Sequence, residues 1–422
     1  MTSDNLKYVI RQFVERALPA CRARELSLPT DTGKVIGLTG VRRSGKTFLF
    51  FAAIQRLVAQ GVDRRRIVYL NFEDDRLYPI RAEELDLVLR CWHEVFPQTV
   101  GQRTYLFLDE VQNVPGWERW VRRLCDTEDV EIFVTGSSSR LLTRDLATAL
   151  RGRSITLEVF PLSFREYLTF RGVEIVPHDA DNESRLRHEL QEYLVCGGFP
   201  EIVLADEALR PLILAEYSSL IYRDVVERYG VRNEKLMREL LRHCFCNTAS
   251  LLNVSKLHRD FASQGYTVSR NTLFDYLGYL EDAFLVFLLP KRETSIRKQA
   301  HNPKKLHVID TGLIGAFQAF PHRDLGHKLE SVVFLANRRA RRDLFYYANG
   351  SEVDLCDGEG KLFVNTCWSL ADAEAFHREK AAMAFASARW PEAEGTLLYH
   401  EYVPGREREV PGAQAAWRYL LR

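Results

Sequence analysis

Over the first 160 residues, short apolar runs alternate with stretches in which apolar residues recur at helical spacing. Val35-Ile36-Gly37-Leu38, Ile67 to Phe72, Tyr105 to Leu108, Ile132 to Val134 and Ser154 to Phe160 all read as strands. Between the first two, Leu49, Phe50, Ala53, Ile54 and Leu57 fall on one face of a helix that Gly61 ends. Ala82 to Phe96 is a further helical stretch. Nearly continuous apolar strands separated by helices predict an α/β fold, with a parallel sheet covered on both faces. Ligands on such sheets gather at the carboxyl ends of the strands.

Beyond Pro161 the pattern changes. A polar, helical region carries the turn Gly197-Gly198-Phe199-Pro200, and residues 211 to 228 place Leu212, Leu214, Tyr217, Leu220 and Ile221 at helical spacing. Val254 to Gln264 reads as a helix stopped by Gly265, and Arg270 to Glu281 as a second helix with Ser269 as N-cap. The strand Ala283 to Leu289 is followed by Lys291, Arg292, Arg297, Lys298, Lys304 and Lys305. Two short helices and a basic hairpin describe a winged helix-turn-helix. Arg270, Asn271 and Asp275 then face a DNA major groove while the basic segment tracks phosphates. The same pattern also suits a helix pair packed against protein, with its lysines solvated. Further on, Leu344 to Ala348, Val353 to Cys356 and Leu362 to Thr366 form a meander with Asn349-Gly350 and Asp357-Gly358 as turns. The tail from Gly412 to Arg422 reads as a packed helix or strand.

A chain of 422 residues, 46% of them apolar, has room for two or three domains with substantial cores. The net charge of +1 names no partner, so any nucleic-acid site must be a local patch. The longest apolar runs are too short to span a bilayer. Met1-Thr2-Ser3-Asp4-Asn5 lacks a charged-then-apolar leader, so a cytoplasmic protein is expected. Eight cysteines without a C-x-x-C suggest neither zinc nor disulfides, but reduced thiols.

The candidate chemistry begins at Gly40-Val41-Arg42-Arg43-Ser44-Gly45-Lys46-Thr47, a phosphate-binding loop between a strand and a helix. Glycines let the main chain curl so that its N–H groups meet a triphosphate, and the following helix aims its positive end there. Residues 40 to 48, Phe48 included, are the expected ATP contacts. Lys46 reaches the β- and γ-phosphates, and Thr47 holds Mg²⁺. Four apolar residues ending in Asp109-Glu110 form a Walker B pattern, in which Asp109 holds Mg²⁺ through water and Glu110 deprotonates the attacking water. Ser137, at the end of the next strand, is the expected reader of the γ-phosphate. Arg153, preferred over Arg151, is the expected arginine that reaches a neighbouring subunit's nucleotide, which requires a ring or other closed oligomer.

These segments, with Leu70-Asn71-Phe72-Glu73, Leu108-Asp109-Glu110-Val111-Gln112, Thr135-Gly136-Ser137-Ser138-Ser139, Pro161-Leu162-Ser163-Phe164-Arg165-Glu166-Tyr167 and Gly197-Gly198-Phe199-Pro200-Glu201, resemble one family. It is that of the prokaryotic AAA-type ATPases with a C-terminal domain of unknown function, number 4143. The resemblance runs from about residue 30 to 370 and implies nucleotide binding; it leaves the cellular task undefined. Taken together, the residue patterns and the resemblance divide the chain into an N-terminal helical segment (1–30), an AAA-type ATPase core (31–160), a helical lid (161–245), a winged-helix-like domain (246–295) and a nuclease-like domain (296–422). Arg223 lies in a stretch that resembles a family signature.

The last domain resembles a restriction-endonuclease-like core. Glu330 and Asp354 fill two acidic positions, but Asn365-Thr366-Cys367 stands where an acid-x-lysine is needed. Without those groups the domain is expected to be catalytically inactive. The leading expectation is an oligomeric, Mg²⁺-dependent ATPase that couples turnover to binding or remodelling duplex or branched DNA. A nucleotide-switched signalling or defence scaffold is the alternative, and an ATP-driven nuclease a weaker one.

Overall fold

Side-chain alternation along the central strands layers the first part of the chain. In β3 (Thr104–Asp109), Leu106 and Leu108 join one apolar cluster and Phe107 the other. The computed structural model describes residues 2–136, 150, 152–176, 179–318, 324–340 and 343–422. They fall into two units, Met1–Phe160 and Pro161–Arg422.

In the first unit, β1 (Val35–Thr39), β2 (Ile67–Asn71), β3, β4 (Val130–Gly136) and β5 (Ser154–Glu158) form a sheet of order β2-β3-β4-β1-β5. Every pairing is parallel. The helix Lys46–Ala59 covers one face, where Phe50 packs on Phe107 and Phe133, whose rings stack 4.4 Å apart. On the other face, Leu106, Leu108, Ile132 and Val134 meet Trp92, Trp120 and Val121 from the helices Asp86–Val95 and Trp117–Thr127. The helix Ser3–Glu15 buries Leu6, Val9 and Ile10 in that same cluster, so it folds with this parallel sheet. The predicted helix over 82–96 is divided into a 3-10 turn, Ala82–Glu84, and the helix from Asp86.

The second unit starts with helices Phe164–Arg171, Ala180–Cys196, Pro200–Leu204, Arg210–Tyr229 and Glu234–Cys246. A three-stranded antiparallel sheet, β6 (Ser250–Leu252), β8 (Lys304–Val308) and β7 (Val286–Leu289), follows in that spatial order. Helices Val254–Ser263 and Arg270–Asp282 lie between β6 and β7 in the chain, the second capped by Ser269 accepting from the Thr272 N–H at 3.0 Å. The last sheet has the order β13-β12-β11-β10-β9, from β9 (Leu344–Ala348), β10 (Glu352–Asp357), β11 (Leu362–Ser369), β12 (Glu394–Glu401) and β13 (Ala413–Ala415). β9, β10 and β11 run antiparallel, whereas β12 and β13 continue the sheet in parallel. Helix Leu325–Ala340 precedes this sheet and Ala373–Arg389 links β11 to β12. The tail is both a strand and a short helix, Ala416–Tyr419. Among the described residues no helix is long and apolar enough to cross a membrane.

Two sequence motifs explain themselves here as architecture. Ser163 and Glu166 form a reciprocal capping box that starts the helix Phe164–Arg171. Gly197 and Gly198 lie where three backbones cross. Asp310 Oδ2 accepts from the Gly198 N–H at 2.6 Å and Oδ1 from the Gly312 N–H at 2.9 Å. Burial pushes the Asp310 carboxyl up to about 6, and the N–H donors oppose that. A Cβ on Gly197, which has φ +78°, would stand 2.0 Å from Asp310 Oδ1. Gly197→Ala is therefore expected to destabilise the fold by about 2 kcal/mol or more, read as a lowered urea midpoint. A change under about 0.5 kcal/mol, the size of an ordinary surface substitution, would contradict this crossing.

Candidate nucleotide-binding site

The loop between β1 and the helix Lys46–Ala59 is shaped by close backbone approach. Val159 donates its N–H to Thr39 O at 2.7 Å, and a Cβ on Gly40 would lie 2.2 Å from Val159 O, so only glycine fits. Gly45 begins the helix at φ +97° and offers no side chain to cap it. Arg43 also has positive φ, +64°, a strained choice for a residue with a side chain. Ser44 Oγ is buried without a hydrogen-bond partner. The Lys46 ammonium is folded back on the loop, 3.0 Å from Gly40 O and 3.1 Å from Val41 O. Arg42 pairs with Glu73 at 2.5 Å, and Phe48 is exposed. From the N-terminal segment, Arg24 donates to Ser44 O at 3.0 Å and to Phe160 O at 2.9 Å, bracing the loop.

Opposite the loop, Asp109 ends β3 with 1% exposure. Its carboxylate accepts from Thr47 Oγ1 at 2.7 Å, from the Tyr69 hydroxyl at 3.0 Å and from Thr135 Oγ1. Burial raises the Asp109 carboxyl above its ordinary range while the Thr135 and Thr47 hydroxyls pull it down. The Tyr69 phenol is driven up, first by burial and then by the Asp109 charge. Glu110 leaves the strand at φ +52°. Its N–H donates to Thr135 Oγ1 at 2.9 Å, and its carboxylate accepts from Gln112 Nε2 at 2.5 Å.

The fold thus brings the loop residues, Asp109 and Glu110 together at the carboxyl ends of parallel strands. It also contributes groups that the sequence reading passed over: Thr135, Tyr69 and Arg24. Thr135, buried at the end of β4, touches both acids. The serines after it drew the reading to Ser137, which lies outside the described residues, as does Arg151. Arg153 precedes β5 and accepts the Val35 N–H at 2.9 Å, at the sheet end away from the loop. Its exposed guanidinium pairs with Asp126 of the same chain. Arg270, Asn271, Arg297 and Lys298 are exposed in the second unit. Lys291 and Arg292 differ from the expected phosphate-tracking role. Lys291 donates to Asn349 Oδ1 at 2.8 Å, while Arg292 donates to Gly358 O at 3.0 Å and lies over the Trp390 ring. They are held by the chain's own C-terminal sheet, because the turn oxygens and an aromatic face give cations local partners.

The residues present fit a magnesium triphosphate. An orphan Ser44 hydroxyl and an uncapped helix start suit phosphate oxygens, and the Thr47 hydroxyl with the Asp109 carboxylate is an oxygen pair suited to Mg²⁺. The bound metal would neutralise phosphate charge.

Residues 32–168 match a family model described as an AAA domain, and residues 187–324 match a domain of unknown function, DUF8612. The matched model thus carries number 8612, where the resemblance had suggested 4143. The fold and the loop define a P-loop protein with an AAA domain. The chain belongs to one family with the uncharacterized protein MJ1544 of Methanocaldococcus jannaschii, which is 35% identical over 377 residues, covering 86% of this chain and 81% of that relative. An uncharacterized protein of Haemophilus influenzae is 31% identical over 308 residues, 72% of this chain and 74% of its own. Among solved structures, the Walker-type ATPase PABY2304 of Pyrococcus abyssi aligns over 67% of this chain and 90% of its own, with TM-score 0.45 and 15% identity.

Lys46→Ala is expected to weaken ATP binding at least tenfold, about 1.4 kcal/mol or more, in a titration with a fluorescent ATP analogue. An unchanged affinity would remove the lysine from the site.

Proposed function

We propose that the chain is a Mg²⁺-dependent ATPase working at the 40–47 loop, with turnover coupled to DNA. The observation that carries this reading is the direct 2.7 Å bond between Thr47 and Asp109, which joins the loop to the acidic strand end. On binding, the Lys46 ammonium turns from the carbonyls of Gly40 and Val41 to the β- and γ-phosphates. Thr47 and Asp109 would hold the magnesium. Glu110 takes the proton of the attacking water, and Thr135, bonded to its N–H and to Asp109, positions both acids. Ser137 reads the γ-phosphate.

Arg153 serves the site of a neighbouring copy in a closed oligomer. Its position at the far end of its own sheet favours action in trans, and the exposed pair with Asp126 is cheap to break. DNA is met by Arg270, Asn271, Arg297 and Lys298, whose exposure leaves them available to phosphates or base edges. The free cysteines fit a reducing compartment such as the cytoplasm.

One observation favours the switched scaffold as a second reading: Lys46 and Glu110 are both engaged within the protein in this conformation. Such a site waits for an assembly step before it turns over.

Glu110→Gln is expected to bind ATP with ordinary affinity while turnover falls by about 100-fold or more, the usual contribution of a general base. Near-normal phosphate release by that variant would exclude the base role. Wild-type turnover should rise with duplex or branched DNA, and the stimulation should fall steeply as salt increases. Turnover indifferent to DNA would favour the scaffold.

A further inference from the structure

The helix Arg210–Tyr229 begins on a cation, the wrong charge for the positive end of a helix, and its first turn holds no acid. The Arg210 side chain is only 9% exposed, and neither Nε nor Nη2 has a hydrogen-bond partner. Among the described residues its ion pair is a loose one, 4.0 Å from Nη1 to Glu207 Oε1, beyond hydrogen-bond reach. That carboxylate is itself 79% exposed. The neighbouring Cys196 thiol supplies no negative charge, because burial pushes it up to about 12 against the pull of the guanidinium. A nearly buried cation so poorly matched weighs against folding unless a carboxylate from elsewhere reaches it.

The surface of the same segment is apolar. Leu204, Leu209 and Leu212 are about half exposed or more, and Ala208 and Ala215 are exposed with them. Leu209 and Leu212, three positions apart at the helix start, are neighbours on one face. Single exposed leucines are ordinary, whereas three within nine residues mark a contact surface. The order of these residues shows what covers them. Leu204 and Leu212 stand four positions on either side of Ala208, and Asp206 and Arg210 stand two positions on either side with opposite charges. Asp206 is exposed, as is Glu207 beside it. Turned over on itself about Ala208, the segment sets leucine against leucine and acid against cation. An unrelated acidic partner would answer Arg210 alone. A second copy of this chain also gives Asp206 a cation and covers the leucines.

We propose that residues 204–212 form a two-fold contact between two copies of this chain, in which Asp206 of each copy pairs with Arg210 of the other and Leu204 covers Leu212. The contact is isologous, so it joins copies in pairs and closes no ring by itself. A patch of this size belongs to the weak, transient class of interfaces. It uses no nucleotide, so it can fail while the ATPase reading stands, and the reverse holds as well.

The test uses the full chain without nucleotide, followed by sedimentation velocity from about 1 to 100 µM, the range in which a weak dimer forms. Wild type should pass from monomer to dimer as concentration rises. Leu212→Glu should weaken the dimer about tenfold or more. Arg210→Met should weaken it to a similar extent and yet keep or raise the thermal midpoint of the dilute monomer, because an unmatched buried charge is gone. An arginine with a purely structural role would instead lower that midpoint and leave association unchanged. Ala208→Cys places a thiol on the axis, so mild oxidation should link two copies in far greater yield than the wild-type cysteines allow. Should Arg210→Met fail to fold, the Leu212 and Ala208 variants decide the matter. A wild type that stays monomeric throughout, association indifferent to Leu212→Glu, or oxidised Ala208→Cys that links no better than wild type overturns the proposal.

Discussion

A carboxylate buried at the end of a strand needs donors or a cation around it, and Asp109 recruits three hydroxyls from three separate elements. Thr47 comes from the helix after the loop, Tyr69 from β2 and Thr135 from β4. Each neighbouring element must stop at the right height for its hydroxyl to reach. That requirement links strand order to site geometry: β3 lies between β2 and β4 in the sheet. With Asp109 so placed, Glu110 falls just beyond the strand, and its left-handed backbone turns it out of the sheet. The positive φ values at Arg43 and Glu110 put backbone strain on both sides of the prospective phosphate position, where a ligand can repay it.

The α/β layering of the first unit was legible because it rests on local patterns. Alternation in Leu106-Phe107-Leu108 separates two clusters, and the glycines of the 40–47 loop announce their backbone shape. Thr135 and Tyr69 were not legible as site residues. A threonine ending a strand and a tyrosine inside one are ordinary strand residues, and only sheet pairing brings their hydroxyls to Asp109. Gly197-Gly198 was read as a turn, yet its cause is a contact with Asp310, more than a hundred positions later in the chain. Distant partners of this kind leave no local periodicity.

The basic stretch after β7 shows the opposite error, in which a sequence run was read as one surface. Lys291 and Arg292 turn to the C-terminal sheet and Lys305 enters its acidic cavity, whereas Arg297 and Lys298 remain exposed on the short helix Ile296–His301. Charge density along a chain therefore did not measure charge on one face.

The central claim is that a single magnesium triphosphate organises the loop, Thr47 and Asp109. A crystal structure of the chain with Mg²⁺ and a non-hydrolysable ATP analogue tests it most directly. The account predicts phosphate density within the 40–47 loop, with Lys46 Nζ moved off the Gly40 and Val41 carbonyls and the metal beside Thr47 and Asp109. Nucleotide bound elsewhere, with Lys46 still on those carbonyls, would contradict it.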